Sequence, residues 1–161
     1  MNENIGTVMG RMVRDRITGK EGIAVMVFHW ITGCDTVMYE DREGKGRSAE
    51  LPRLEILQEG GIEGIVGNES RQDDEYLENL GKKGRDRITG FEGVVVGLCT
   101  HAFRASQYCL QPMVRDGRIG GVEIIDCQRV DFSDDELSVD PESVQDRTGG
   151  GFDLPRKRSF I

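Results

Sequence analysis

The stretch "RDRITGKEG" at residues 14–22 recurs almost unchanged as "RDRITGFEG" at residues 85–93. Eight of the nine residues are identical, and the two copies lie 71 positions apart. A segment that recurs with similar sequence on either side of it indicates duplication of a structural unit. We therefore expect two related units in this chain.

Each copy of the nonamer lies among short apolar runs that are separated by turn signals. In the first copy, residues 13–17 begin and end with an apolar side chain and hold three charged ones between, and residues 22–28 form a β-branched, apolar run. Two further short runs, "TVMYE" and "LPRLEIL", follow polar or glycine-rich breaks. This spacing is typical of short strands in a small barrel or sandwich. The sequence therefore predicts an all-β protein, a tandem duplication of a small SH3-like (KOW-like) barrel.

Composition divides the chain into four predicted parts: a first barrel at 1–57, an acidic, glycine-rich linker at 58–80, a second barrel at 81–132, and an acidic segment with an extended C-terminal tail at 133–161. Within the linker, "DDEYLENL" predicts one or two helical turns with Tyr76, Leu77 and Leu80 on one face. Ser133 is predicted to cap a turn that holds the acidic residues 134–136.

The nonamer itself is interpreted as a tight hairpin. Asp15 and Asp86 can accept hydrogen bonds from turn amides, as aspartate side chains often do. Ile17 and Ile88 are predicted to point into the barrel, and the Thr-Gly pair is predicted to turn the chain. The alternative interpretation is a surface loop whose paired arginines contact a carboxylate or phosphate. In the second copy, the candidate anion contacts are Arg85 and Arg87.

Beyond the nonamer, the two histidines align only if one extra residue enters the second copy. His29 then matches His101, and "GRSAELPRLEI" lies against "GRIGGVEIIDC". Equivalent strand positions in a duplicated fold would match in any case, so we interpret both histidines as structural.

Composition argues against several functional classes. The net charge is −8, and a chain with this charge is a poor general binder of nucleic acid, because phosphate binding needs clustered lysine and arginine. No apolar run reaches the roughly 18 residues of a membrane helix, and the N-terminal residues lack a signal-peptide pattern. Four cysteines without a C-x-x-C pair and two histidines argue against a zinc site and favour reduced thiols, with disulfides between assembled subunits as the alternative. Familiar catalytic motifs are missing as well. We therefore expect no enzymatic activity, no metal and no cofactor.

The C-terminal segment "FDLPRKRSFI" at residues 152–161 combines apolar and aromatic side chains with a basic cluster. Such a segment suits docking into a groove or a sheet edge of a neighbouring subunit. The predicted partner-binding residues are Phe152, Leu154, Arg156, Lys157, Arg158, Phe160 and Ile161.

The second copy, "DRITGFEGVVVGLCTHAFRASQYCLQP", resembles small proteins of tailed bacteriophages in which a D-x-[VI]-T-G-F-x-G hairpin precedes a strand, a turn, a tyrosine and a proline. The first copy lacks the phenylalanine, tyrosine and proline of that pattern. The residues that fit are Asp86, Ile88, Thr89, Gly90, Phe91, Gly93, Tyr108 and Pro112.

The resemblance implies a virion protein without enzymatic activity, located in the head, neck or tail. Such a protein would be synthesised in the bacterial host cytoplasm and would bind other virion proteins in a large homo- or hetero-oligomeric assembly. Neither nucleic acid nor a membrane is an expected partner. The alternative hypothesis is a small soluble phage protein that sequesters a nucleotide signal or inhibits a host protein.

Overall fold

The computed structural model describes residues 8–62 and 71–139, and within them the predicted all-β class is confirmed. The first unit contributes the strands β1 (Met12–Asp15), β2 (Glu21–Trp30), β3 (Thr36–Glu40), β4 (Gly46–Glu50) and β5 (Leu54–Ile56). The second contributes β6 (Lys82–Asp86), β7 (Glu92–His101), β8 (Gln107–Gln111), β9 (Glu123–Asp126) and β10 (Val130–Leu137). A short helix, α1 (Arg71–Leu77), precedes β6, and one turn of 3-10 helix precedes both β5 and β10.

The two units have the same strand order. In the first unit the antiparallel order is β5-β1-β2-β3-β4, and in the second it is β10-β6-β7-β8-β9. Within the described ranges, β4 pairs only with β3, and β9 pairs only with β8. The strands therefore form an open antiparallel sheet.

The long strands β2 and β7 join the two units. They pair antiparallel from Met26 opposite His101 to Trp30 opposite Gly97, with Phe28 opposite Cys99 at the centre. If each residue is replaced by its equivalent in the other copy, 71 positions away, the set of paired residues stays the same. A local twofold axis therefore passes between Phe28 and Cys99, and the two units share one continuous sheet.

Each unit has its own apolar core on one side of this sheet. Val13, Val27 and Val37 are fully buried in the first core, and Val95, Leu98 and Leu110 are fully buried in the second. This burial supplies most of the favourable free energy of folding.

Part of the segment named as a linker packs against the second core. Helix α1 presents Tyr76 and Leu77 to this core, and Leu80 follows on the same side. Tyr108 donates a hydrogen bond to the Tyr76 carbonyl oxygen at 3.1 Å and accepts one from Asn79 at 2.9 Å. The predicted helical turn and its apolar face are confirmed.

The nonamer forms the predicted hairpin turn in both units. Asp15 Oδ1 accepts a hydrogen bond from the Ile17 N–H at 2.9 Å, and Asp86 Oδ1 accepts one from the Ile88 N–H at 3.1 Å. Each turn closes with a glycine of positive φ, +73° at Gly19 and +77° at Gly90, which an L side chain rarely adopts.

The prediction that the two isoleucines point into the barrel is wrong. Ile17 and Ile88 are 74% and 73% exposed. The strands end at Asp15 and Asp86, and both isoleucines lie in the turns that follow. The alternation of inward and outward side chains therefore does not extend to them.

An arginine from the 3-10 helix of each unit binds the turn aspartate. Arg53 Nε lies 3.3 Å from Asp15 Oδ1, and Arg129 Nε lies 3.1 Å from Asp86 Oδ1, each with a second bond through Nη2. The hydrogen bond from Arg129, assisted by Thr89, holds the pKa of Asp86 well below its usual range. This clamp joins the start of each unit to its last strand, and the sequence alignment missed it.

The alignment of the two copies is corrected by the strand register. Strands β2 and β7 match without an inserted residue, so His29 corresponds to Thr100 and His101 corresponds to Trp30. Further on, Glu50 of β4 corresponds to Asp126 of β9, because the β8–β9 connection is longer than the β3–β4 connection. The predicted equivalence of the histidines is therefore wrong.

The turn predicted after Ser133 is also wrong, because β10 continues through residues 134–136 to Leu137. Within the described ranges, no helix has the length and apolar character needed to cross a membrane.

Candidate functional site

Exposed apolar side chains are concentrated between β8 and β9 of the second unit. This connection, residues 112–122, is called the arm. Met113, Val114 and Ile119 on the arm are 61%, 59% and 76% exposed. Several large apolar side chains close together on a surface indicate a site of contact with another molecule.

The arm is an extension of the β8–β9 hairpin. Asp116 and Gly117 have φ values of +52° and +70°, as a two-residue type I′ turn requires. Arg115 and Arg118 exchange backbone hydrogen bonds of 3.1 and 2.9 Å across this turn. Their pairing continues the register of Leu110 opposite Glu123. The sequence therefore builds a defined hairpin tip.

The corresponding connection of the first unit, residues 41–45, is short and polar. Asp41 Oδ1 accepts the backbone N–H groups of Glu43 and Lys45, both at 3.0 Å. Asp41 Oδ2 accepts a bond from Arg47 Nε at 3.0 Å. This loop satisfies its own polar groups, and its unit has the same strand order as the second. The fold therefore does not require an apolar arm.

A cleft of about 560 Å³ lies beside the arm, between β9 and the β6–β7 turn. We call it the β9 cleft. Its lining residues are Asp86, Thr89, Gly90, Phe91, Glu123, Ile124, Ile125 and Arg129. Ile124 is 49% exposed, and Phe91 is half-buried against the second core.

The first unit has polar residues at the matching positions of its surface. Lys20 corresponds to Phe91, and Ser48 corresponds to Ile124; both residues of the first unit are exposed. Both units form the same pattern of strands with these different residues. Phe91 and Ile124 of the β9 cleft are therefore specific to the second unit rather than a requirement of the fold.

A row of side chains connects this surface with the joint between the units. In the strand register, Trp30 lies opposite Gly97, Gly97 opposite Cys109, and Cys109 opposite Ile124. The Trp30 ring lies over Gly97, where an added Cβ would be 2.7 Å from Trp30 Cε3. It stacks in parallel on Phe28 with 5.3 Å between centroids. Gly97 and Cys109 are buried, so this row is a packed contact that runs from Ile124 to Trp30 at the joint between the units.

The arginines predicted to contact an anion lie on and just after β6. The Arg85 guanidinium lies close to Gly90 of the β9 cleft, since a Cβ at Gly90 would be 3.4 Å from Arg85 Nη2. Arg87 Nε lies 3.6 Å from Asp131 Oδ1, and both side chains are more than half exposed. Arg85 is exposed on β6, opposite Glu92 and Asp131 in the register. Arg87 therefore contacts a carboxylate of the protein itself, while a contact of either arginine with a separate anion stays a prediction. The predicted partner-binding residues 152–161 lie outside the described residues.

The histidines and two of the buried cysteines do not form a recognisable reactive centre. His29 Nδ1 lies 2.9 Å from Asp35 Oδ2, and His101 Nε2 lies 2.9 Å from Gln107 Oε1 and 3.4 Å from Cys99 Sγ. Burial raises the pKa of Cys99 to about 12 and that of Cys109 to about 11. Both are therefore protonated thiols at neutral pH and weak nucleophiles.

Among the described residues, no group of three or more histidine, cysteine, aspartate or glutamate side chains is placed to hold a metal ion. Within the described surface, the arm holds the largest group of neighbouring exposed apolar side chains. One local signal could have revealed the arm, because the Asp116-Gly117 pair is typical of a type I′ hairpin. Comparison with protein-family models, with curated proteins and with solved structures finds no match to this chain.

Proposed function

We propose that this chain is a bacteriophage virion protein without enzymatic activity, an accessory component of the head, neck or tail. Its function is to bind neighbouring capsid or tail subunits through the arm and the β9 cleft. The observation that carries this proposal is the contrast between the units: the same strand order carries an apolar surface in the second unit and a polar one in the first.

The contrast supports a binding function because exposed apolar area has a cost in water. Ile119, Met113 and Val114 would each gain free energy if a partner covered them, on the order of 1.5–3 kcal/mol for a side chain that becomes fully buried. Binding surfaces commonly have such an apolar centre within a polar rim. The tip arginines Arg115 and Arg118 provide a polar rim to the arm.

The assignment to a phage rests on the resemblance of residues 86–112 to small phage proteins. We also propose that each unit is an SH3-like barrel. The strand order β5-β1-β2-β3-β4, with β1 between β2 and β5, supports this architecture. A fold of this kind does not itself indicate a function, so the functional proposal depends on the surface of the second unit.

The experiment measures how many copies of the protein are incorporated into phage particles. Virions produced with the wild-type protein or with an Ile119→Asp variant are purified on a density gradient, and the copy number of the protein per particle is measured by quantitative mass spectrometry. Ile17→Asp is the matched control, since Ile17 is 74% exposed and Ile119 is 76% exposed. We expect Ile119→Asp to lower the copy number at least several-fold and Ile17→Asp to leave it unchanged.

Equal incorporation of both variants would refute the role of the arm, and absence of the wild-type protein from particles would refute the virion assignment. Native mass spectrometry of the protein from its source lysate gives a second readout. A repeating large partner supports assembly. A small oligomer that carries a few hundred daltons of bound mass would instead support the alternative, a soluble binder of a nucleotide signal.

A further inference from the structure

We propose that the free edge of β9 accepts an additional antiparallel strand, and that this strand is the segment 152–161 of a neighbouring copy of the chain. The proposal rests on the proposed function, because strand donation between copies would be one of the contacts that build the assembly. The proposal goes beyond that function because it names the segment that pairs with the edge of β9.

The edge of β9 is suited to receive a strand. Within the described part of the chain, β9 pairs with β8 alone, so one edge of the strand has no neighbouring strand. An unpaired edge presents backbone N–H and C=O groups that an extended segment can pair with. Beside this edge, Phe91 and Ile125 line a cleft that can take side chains of the added strand.

The matching edge of the first unit lacks these apolar contacts. Strand β4 also pairs with only one strand, but its sequence is "GRSAE", and Arg47, Ser48 and Glu50 are polar. Added strands usually obtain affinity from the backbone and specificity from side-chain pockets. The apolar side chains in the β9 cleft therefore favour β9 over β4.

The charges of β9 disfavour pairing with a second β9. An antiparallel pair of two "EIID" segments would place Glu123 directly opposite Asp126 at both ends. Like charges opposite each other destabilise a strand pair. A strand that carries basic residues would instead be stabilised by a carboxylate of β9.

The segment 152–161 has this complementary chemistry. With Arg158 opposite Asp126, an antiparallel register places Phe160 opposite Ile124. Both pairs then lie on the same face of the sheet, because side chains alternate along a strand. Pro155, which lacks a backbone N–H, lies beyond the four residues of β9 in this register.

The chain is long enough for this exchange between copies. Val139 is held by a backbone hydrogen bond of 3.1 Å to the Gly81 carbonyl oxygen. Twelve residues lie between Val139 and Phe152, and an extended chain of that length reaches about 40 Å. This reach exceeds twice the radius of gyration of about 15 Å expected for a compact chain of this size.

The test is a charge exchange in the full-length chain, with self-association measured by sedimentation velocity over a range of concentrations. We expect Arg158→Asp to weaken self-association by about tenfold, the equivalent of about 1.4 kcal/mol. Asp126→Arg is expected to have a similar effect, and the two changes together should restore association. Glu50→Arg is the matched control, because Glu50 holds the position in β4 that Asp126 holds in β9. It should neither weaken association nor rescue Arg158→Asp.

Cross-linking identifies the donor. A carbodiimide joins Lys157 to Asp126 when the strand is docked, and mixing copies with and without ¹⁵N label shows whether the link is between chains. Links between differently labelled chains support the proposal. Links confined to one chain, failure of the double variant to associate, or a wild-type chain that stays monomeric would each overturn it.

The Ile119→Asp variant separates this inference from the proposed function. It should self-associate like the wild type, while its incorporation into particles falls. Normal wild-type incorporation together with no self-association would refute strand donation and leave the proposed function intact.

Discussion

Substitution of Gly93 by alanine would test the packing that holds β7 against β8. A Cβ at Gly93 would lie 2.7 Å from the Gln111 carbonyl oxygen and 2.8 Å from its carbonyl carbon. Both are backbone atoms, and the paired register of Val94 and Gln111 fixes them in place. The strands must therefore separate locally, since no flexible side chain can move aside.

The expected cost follows from two opposing effects. Overfilling a well-packed site typically costs about 1–3 kcal/mol, whereas replacing glycine by alanine restricts the unfolded chain and returns about 0.4–1 kcal/mol. The net loss of unfolding free energy is therefore about 1–2 kcal/mol. For a chain of this length, the melting temperature should fall by roughly 2–8 °C.

Thermal unfolding followed by far-UV circular dichroism measures this change. Gly121→Ala is the matched control, because no heavy atom lies within 4 Å of its added Cβ and its φ is not in the left-handed region. We expect its melting temperature to stay the same or rise slightly. If Gly93→Ala and Gly121→Ala melt at the same temperature, the close approach of the two backbones is not as described.

Three further predictions concern stability and reactivity. The exposed thiol of Cys34 should react with a thiol reagent at pH 8 within the mixing time, whereas Cys99 and Cys109, with pKa values raised to about 12 and 11 by burial, should react only as the protein unfolds. The pKa of Asp86 is lower in the folded state than in the unfolded state, so its carboxylate stabilises the fold at pH values above the unfolded pKa of about 4. This stabilisation is lost progressively as the pH falls from that value towards the folded pKa. Urea titrations of the wild type and Asp86→Asn between pH 7 and 3 measure the difference. Truncation of the fully buried Leu98 to alanine should cost about 2–5 kcal/mol and lower one common transition, since the units share a sheet.

Clear outcomes would contradict each of these expectations. Cys34→Ser should abolish the fast thiol reaction, so a fast phase that persists would show that a buried thiol is accessible. Asp86→Asn should lose less stability on acidification than the wild type, and equal losses would show that the Arg129 clamp does not stabilise the fold. Two separate transitions in Leu98→Ala, monitored by calorimetry, would show that the units unfold independently.

The sequence predicted the features that depend on local chemistry. The Asp15 and Asp86 turns, the positive φ of Gly19 and Gly90 and the apolar face of α1 follow from side-chain type and spacing within a few residues. These preferences act in both the isolated segment and the folded chain. The strand pattern of the two copies was predicted for the same reason, because it depends on the local spacing of apolar residues and turn residues.

The sequence did not predict the structural features that depend on contacts between distant parts of the chain. The letters "GR" occur at 46–47 and at 117–118, but the first pair begins β4 and the second lies at the tip of the arm. An alignment by letters could not detect the longer connection between β8 and β9. It therefore missed both the arm and the correspondence of Arg53 with Arg129.

The exposed positions of Ile17 and Ile88 show a second limit. Apolar side chains usually lie inside, yet a folded surface still contains many apolar atoms. Only the strand ends at Asp15 and Asp86 decide that the next residues leave the sheet. Comparison with the matching polar positions of the first unit distinguishes the apolar side chains that the fold requires from those that it does not.

The twofold relation across Phe28 and Cys99 has a consequence for ancestry and directionality. A single ancestral unit would have exposed the edge of its long strand and could have paired with an identical unit, and gene fusion would then have linked the two halves. A homodimer of identical units must present every surface twice. After fusion, one half could acquire an arm while the other kept a polar loop. The two ends of the molecule would then present different surfaces. In the proposed assembly, a subunit with two different ends would be added in one direction only.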